Sequence, residues 1–222
     1  LTMSSGLNWD ESYINPLSMT TEAYYGKNLK AVLNKLKPIK EPGKFFSYKS
    51  GDTQILAMLL RKLYNKPLAE IMSDKVWSKI GAEQPAYWSL DDEDGIEKAY
   101  CCFNSNARDF ARIGKLMLQK GRWNNQVIVP EHFIHAATKP NELIDEETHE
   151  KVDFYGWQWW ILPNYRDMKD MYYARGVNGQ YIIVIPSKNI IIVRLGDKRG
   201  EKFGKTVHHL ETMKLIDFAL NL

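Results

Sequence analysis

The chain has 222 residues, 44% of them hydrophobic and 12% aromatic, enough for one large globular domain or two small ones. Lys+Arg 30 against Asp+Glu 27 leaves a net charge of +3, with no basic stripe interleaved with aromatics, which argues against a nucleic acid partner. No apolar run approaches the roughly 20 residues of a membrane span, so none is expected. The two cysteines, Cys101 and Cys102, are adjacent; neighbours in sequence rarely bridge, so no disulfide framework is expected and the redox compartment stays open.

Leu1 to Trp9 reads as a short apolar segment ending in a Ser-Ser-Gly turn, without an initiator methionine, and the true N-terminus is expected upstream. From Thr20 to Leu36, Tyr24, Tyr25, Leu29, Val32, Leu33 and Leu36 recur at helical spacing, which predicts an amphipathic helix broken near Gly26 and ended by Pro38 and Pro42.

The stretch from Glu41 to Leu56 carries the densest local signal. A Pro42-Gly43 turn feeds Phe45-Phe46, a Ser50-Gly51-Asp52 corner follows, and an apolar helix starts near Thr53. In an extended run residues two apart share a side, so Tyr48 and Ser50 are expected to face one way, with Ser50 or Asp52 capping the helix. Thr53 to Tyr64 is apolar on most sides and is expected to be a buried helix behind Tyr48. Pro67 suits the first turn of the next helix, through Leu68, Ile71, Met72, Val76 and Ile80, and Gly81 its left-handed stop.

Asp91-Asp92-Glu93-Asp94-Gly95 lacks the alternating ligands and closing Glu of a calcium loop and reads as a solvated acidic loop. In Asn104 to Leu118 a polar start supplies the N-cap, Asp109 sits where the helix dipole favours an anion, and Phe110, Ile113, Leu116 and Met117 form the buried stripe, closed by Gly121. Asn124-Asn125 read as a turn and Val127 to Val129 as a short strand; Pro130 opens a helix whose His132 and His135 read as surface residues, one His-x-x-His being too few ligands for a metal site. No metal or cofactor is expected.

After Asp153 the pattern turns to strands: Phe154 to Leu162, Met171 to Ala174, Gln180 to Ile185 and Ile190 to Leu195, the last two joined by the four-residue loop Pro186 to Asn189. An antiparallel meander is predicted, covered on both faces because its last two strands are almost wholly apolar. A helix from Gly204 to Leu222 is expected to cover one face through Val207, Leu210, Met213, Leu215, Ile216, Phe218 and Leu220.

Several of these stretches, in order, resemble the serine β-lactamase-like family of penicillin-binding proteins, class C β-lactamases, related esterases and 6-aminohexanoate-dimer hydrolases. Leu1 to Leu7 looks like the family's LLTMTSGL turn, Pro42 to Leu56 like PGxxFxYSxxxxxLL, and Asn104 to Gly114 like STARDLARFG; Tyr155-Gly156-Trp157 and Gly176 to Gln180 match the later strand region. The resemblance implies an α+β, β-lactamase/transpeptidase-like fold, with residues 1–150 mainly helical, residues 151–222 forming antiparallel strands and the C-terminal helix, and the N-terminal part missing. It implies acyl transfer from a small ester, amide or peptide: a serine in a Ser-x-x-Lys helix attacks the carbonyl, and Tyr48 moves protons. An unperturbed tyrosine, with its pKa near 10, is a poor base alone, which is why the family pairs it with a lysine; Lys49 points the other way along an extended run. Ser50 is expected to position substrate, and the Val177 N–H to donate into an oxyanion hole bounded by Gly176, Asn178, Gly179 and Gln180.

Two departures from the family stand out. Ala174-Arg175-Gly176 replaces Lys-Thr-Gly or His-x-Gly, which argues against penicillin-like substrates and leaves open whether Arg175 substitutes for the cation. No Ser-x-x-Lys occurs in the 222 residues. Either the chain is the C-terminal part of a longer enzyme or the protein has become a ligand-binding domain that uses Trp157, Trp159 and Arg175. A purely structural domain is the third reading. A fragment of this kind is expected to be inactive alone and prone to self-association through an open edge. Export to the periplasm or beyond is an expectation from the resemblance.

Overall fold

The computed structural model describes residues 1–198 and 200–222. The chain divides into two compact units whose segments interleave: Leu1–Ser78, Pro85–Ser105 and Glu142–Val152 form the first, and Lys79–Gln84, Asn106–Asn141 and Asp153–Leu222 the second.

In the first unit the region expected as one broken helix is two, α1 (Met19–Tyr25) and α2 (Leu29–Leu33), with the break at Gly26. Ser18 caps α1 by accepting from Thr21 N–H, and Asn28 caps α2 by accepting from Ala31 N–H. The Leu29 N–H donates to Asp91 Oδ2 at 2.7 Å, and Asp91 Oδ1 accepts from Ile96 N–H at 2.6 Å. Asp91 is thus a structural cap, unlike the solvated acids expected around it. Trp9, Ala23, Leu29 and Val32 form the core beneath these helices.

The next helix, α3 (Ser50–Tyr64), starts three residues before the expected Thr53 and is not a buried apolar rod. Ile55, Leu59 and Leu63 lie at four-residue intervals and are 36%, 50% and 70% exposed. Its inner face is small and polar. A side chain at Gly51 would run into the Trp9 indole, so only glycine lets that ring lie against the helix. The fully buried Gln54 clips one neighbouring stretch of backbone, donating to Glu97 O at 2.9 Å and accepting from Ala99 N–H at 2.8 Å. Helix α4 (Leu68–Met72) continues as a π-helical turn, Ser73–Trp77, and Gly81 takes the left-handed conformation. Phe45–Phe46 pairs in parallel with Ile144–Asp145, and Tyr87–Trp88 pairs antiparallel with Phe103–Asn104.

Cys101 and Cys102 are bonded to each other, against the expectation that neighbours do not bridge. The physical reason is the backbone: Cys102 takes φ +68°, the left-handed region, and the chain reverses tightly enough for adjacent side chains to meet.

In the second unit α5 (Ala107–Leu118) begins as expected, with Asn106 Oδ1 accepting from Asp109 N–H at 2.9 Å, and Gly121 follows it at φ +81°. Asn124 and Asn125 are both left-handed and join the short pair Arg122–Trp123 and Gln126–Val127, so the expected strand at Val127 starts earlier and stops at that residue. Pro130 caps α6 (Glu131–Ala137), on which His132 and His135 are exposed.

The sheet is the predicted antiparallel meander. Strands β1 (Trp160–Leu162), β2 (Met171–Arg175), β3 (Tyr181–Ile185) and β4 (Ile190–Arg194) lie in the spatial order β4-β3-β2-β1. The first predicted strand is shorter than expected. Phe154 to Trp159 instead forms a tight reversal, with Gly156 N–H on Trp159 O and Gln158 at φ +62°. Pairing of Ile161 with Tyr172 and of Tyr172 with Val184 puts these three on one face, where they pack with Met117 of α5 and Ile134 of α6. A side chain at Gly114 would meet Ile182 and Ile191 on that face, so this glycine brings α5 close to the sheet. On the other face Tyr173 and Tyr181 reach the segment that enters α7 (Leu210–Leu220). That helix is shorter than expected, and Phe218, assigned to its apolar set, is exposed.

Candidate active site

In the first unit, Tyr48 lies half-buried in the three-residue connection between Phe46 and α3. The turn at the start of the chain supports it. Ser47 N–H donates to Met3 O at 2.8 Å, Gly43 N–H to Ser4 O at 2.7 Å, and Ser5 Oγ to Asp52 Oδ1 at 2.5 Å. The first two stretches of the resemblance are therefore one structural device: the Ser-Ser-Gly turn holds the corner that carries Tyr48.

Glu11, which no motif marks, caps the helix. Neither Ser50 nor Asp52 takes that role; the N-cap position is Lys49, whose side chain makes no capping bond. The Glu11 carboxylate accepts from Ser50 N–H and Ser50 Oγ–H, both at 2.7 Å, from Trp9 Nε1–H at 2.8 Å, and from the Tyr13 hydroxyl at 2.8 Å. The Ser50 hydroxyl proton is therefore committed to Glu11, and its oxygen lies beside the Tyr13 hydroxyl. Tyr13 also interacts electrostatically with Tyr48. The only hint in the sequence was an acid between two aromatics, Trp9-Asp10-Glu11-Ser12-Tyr13, in a segment with no helical period.

Lys49 is almost wholly buried, and its Nζ lies 3.8 Å from Glu146 Oε2. Burial lowers its pKa from the ordinary lysine value; Asp52 and Glu11 oppose that, and Lys40 adds to it. Lys40 forms its own ion pair with Glu146, so the two lysines share one carboxylate.

In the second unit β2 ends at Arg175 and the chain turns through Gly176, Val177, Asn178 and Gly179 into β3. Gly176 N–H donates to Gln180 O at 2.8 Å, Gly179 N–H to Gly176 O at 3.3 Å, and Asn178 N–H to Gln180 Oε1 at 3.1 Å. Gln180 Nε2 donates to Gly196 O at 2.6 Å, so its side chain is the internal brace of the loop. Gly179 takes φ +76°, and a side chain there would strike Arg194 and the Lys198 carbonyl. Val177 is exposed at the tip, and among the described residues its N–H has no assigned hydrogen-bond partner.

Arg175 donates to Val207 O at 2.8 Å, and its guanidinium lies 3.5 Å over the Trp160 ring, so its charge is held against the sheet. Trp159 packs edge-on against Tyr172 beside the core formed with α5 and α6. Behind Arg175, Tyr173 bonds His208 Nδ1 at 2.7 Å, while Tyr181 bonds His209 Nδ1 at 2.8 Å and donates to Glu211 at 2.6 Å. Burial, with Arg175 and His209 nearby, lowers the His208 pKa to about 4, so it is neutral at physiological pH. The structure thus gathers Tyr48 and Ser50 in the first unit and Arg175 to Gln180 in the second. Among the described residues no group of three or more His, Cys, Asp or Glu could hold a metal ion.

A Beta-lactamase family model matches residues 1–211. The 6-aminohexanoate-dimer hydrolase of Paenarthrobacter ureafaciens is 26% identical over 155 residues, covering 68% of this chain and 38% of that protein. A Bacillus anthracis structure with a provisional 6-aminohexanoate-dimer hydrolase assignment superposes with a TM-score of 0.69 at 27% identity, over 96% of this chain and 49% of its own. A family VIII carboxylesterase shares the fold, with a TM-score of 0.67 at 17% identity over 91% of this chain and 65% of its own. The chain thus spans less than half the length of the first two of these relatives. With its fold, the Tyr48 corner and the Gly176 loop all in place, the chain belongs to the Beta-lactamase family.

Proposed function

We propose that the protein containing this chain is a serine hydrolase that cleaves a small ester or amide through an acyl-enzyme. In this reading Tyr48 shuttles the proton, Ser50 accepts a bond from the substrate, and the Val177 N–H stabilises the oxyanion. The nucleophilic serine and its lysine would lie outside residues 1–222, which contain no Ser-x-x-Lys. The observation that carries this reading is the clamp on Ser50. Both its N–H and its hydroxyl are fixed on Glu11, which gives the residue two after Tyr48 one defined orientation before any substrate arrives. The family relatives, which include an aminohexanoate-dimer hydrolase and a carboxylesterase, support ester or amide chemistry.

The experiment is to react the protein, with its native N-terminus, with a fluorophosphonate and a chromogenic short-chain ester, alongside a Tyr48→Phe variant. A labelled serine outside this chain, with turnover falling at least about 100-fold in the variant, is the expected result. If the full-length protein neither labels nor turns over, the hydrolase is refuted and a ligand-binding domain of the same fold remains.

A further inference from the structure

The bonded pair Cys101–Cys102 plays no part in the proposed acyl transfer, and what it is wired to suggests a separate role. Both residues are half-buried, so a small thiol can reach them. The Cys101 carbonyl accepts from Trp88 Nε1–H at 3.0 Å, and the Cys102 carbonyl accepts from Ser89 N–H at 3.1 Å and Asn104 Nδ2–H at 2.8 Å. The next residue, Phe103, pairs with Trp88 across the two short strands, their rings 4.6 Å apart, and meets Trp77 edge-on at 5.4 Å. Trp77, Trp88 and Phe103, with Met72 and Pro85, line an apolar cavity of about 220 Å³ within the first unit. The disulfide is thus joined, by hydrogen bonds and one peptide link, to two walls of that cavity.

Cys102 sits at φ +68°, a left-handed conformation that is unfavourable for a residue with a Cβ. The covalent ring formed by the two side chains holds the residue there. Once the ring opens, Cys102 is free to leave the left-handed region and to withdraw the carbonyl that orders Ser89 and Asn104.

We propose that Cys101–Cys102 is a reversible redox-modification site whose reduction by a dithiol loosens the Trp88–Phe103 wall of the cavity. One thiolate of the reductant attacks a cysteine sulfur, the Sγ–Sγ bond breaks, and the other cysteine leaves as a thiolate that takes up a proton. The second thiolate of the reductant then attacks the mixed disulfide, releasing the first cysteine and closing the reductant's own disulfide. Two electrons and two protons pass to the protein, and the dithiol is oxidised. The site does not depend on the acyl-transfer reading.

The test takes the purified native protein through a series of reduced-to-oxidised dithiothreitol ratios. Iodoacetamide then traps free thiols for mass spectrometry, and hydrogen exchange is read over residues 86–104, with 107–118 as the internal control. The expected result is that both cysteines become alkylated together and that amides in 86–104 exchange at least about tenfold faster, reversibly, while 107–118 is unchanged. Two free thiols that oxidised dithiothreitol cannot close, or reduction without any change over 86–104, would overturn the proposal. A Cys101→Ser/Cys102→Gly variant separates redox control from simple loss of a staple, because glycine takes φ +68° at little cost. It is expected to keep 86–104 protected and to ignore the dithiol; a retained dithiol response would also overturn the assignment.

Discussion

Replacing Glu11 with alanine tests whether an acid remote in sequence supplies the capping bonds that the N-cap residue Lys49 does not make for the helix behind Tyr48. The substitution removes the acceptor of Ser50 N–H and Ser50 Oγ–H, while Trp9 Nε1–H retains Thr20 Oγ1 at 2.9 Å. Ser50 is buried, so its orphaned N–H costs about 1–3 kcal/mol, and losing a carboxylate from the N-terminus of a fifteen-residue helix adds about 0.3–1 kcal/mol. The expected total is about 1–4 kcal/mol. Glu11→Gln keeps an acceptor and loses only the charge, so its cost should be about 1 kcal/mol. Urea unfolding followed by circular dichroism measures both, provided the slope m matches the parent's. A loss below about 0.5 kcal/mol for Glu11→Ala, or equal losses for the two variants, would refute the role assigned to Glu11.

Three further predictions concern the second unit. Gly114→Val would drive its branches into Ile191 and Ile182 where α5 meets β4 and β3, and should lower stability by about 2–3 kcal/mol, read as a fall in thermal midpoint; an unchanged midpoint would contradict the close approach. Asp109 is fully buried. Burial pushes its carboxyl up, but hydrogen bonds from Glu83 N–H, Asn106 and Gln84 N–H, with Arg112 nearby, outweigh that and hold its pKa below the ordinary value. A depressed carboxylate stabilises the fold above its unfolded pKa of about 4 and loses that contribution as pH falls through the folded value, so Asp109→Asn should flatten the stability profile below about pH 4. His208 acts in a higher window: its folded pKa of about 4 lies below the unfolded value of about 6.5, so stability is full above that value and is lost as pH falls toward 4, by up to about 3 kcal/mol. His208→Gln should remove that slope. An unaltered profile, or an imidazole that titrates by NMR near pH 6.5, would show that the ring is not held neutral by its burial against Tyr173.

Much of the local structure was legible because it is written in nearest neighbours. A cap in the polar start at Asn104 to Asn106, Asp109 in the first turn and the stop before Gly121 are contacts within a few residues, so local pattern located α5, while the structure fixed its cap as Asn106. The apolar runs around Pro186 to Asn189 likewise predicted the hairpin, and Ile190 pairs with Ile185 as that loop requires. The in-order motifs placed the chain in its family, and the glycines at 176 and 179 marked a loop whose backbone must come close to other groups.

Pairings distant in sequence, or counter to base expectation, were decided only by the tertiary structure. Glu11 reaches Ser50 across 39 positions, and nothing in the pattern around Glu11 names its partner. The apolar residues of α3 looked like a core, yet Trp9 and Gln54 fill the inner side and leave Ile55, Leu59 and Leu63 outside. Trp159 and Arg175 suited a binding cleft by residue type, but an aromatic or a cation is recruited by whichever neighbour the fold supplies, here Tyr172 for one and Trp160 with the Val207 carbonyl for the other. The adjacent cysteines are bonded at a point where the backbone turns left-handed at Cys102, which the residue names do not encode. Sequence determined which segments form helices and strands, since propensity, caps and turns are local; tertiary structure decided which side chains are free to do chemistry, since that depends on partners folding brings from far along the chain.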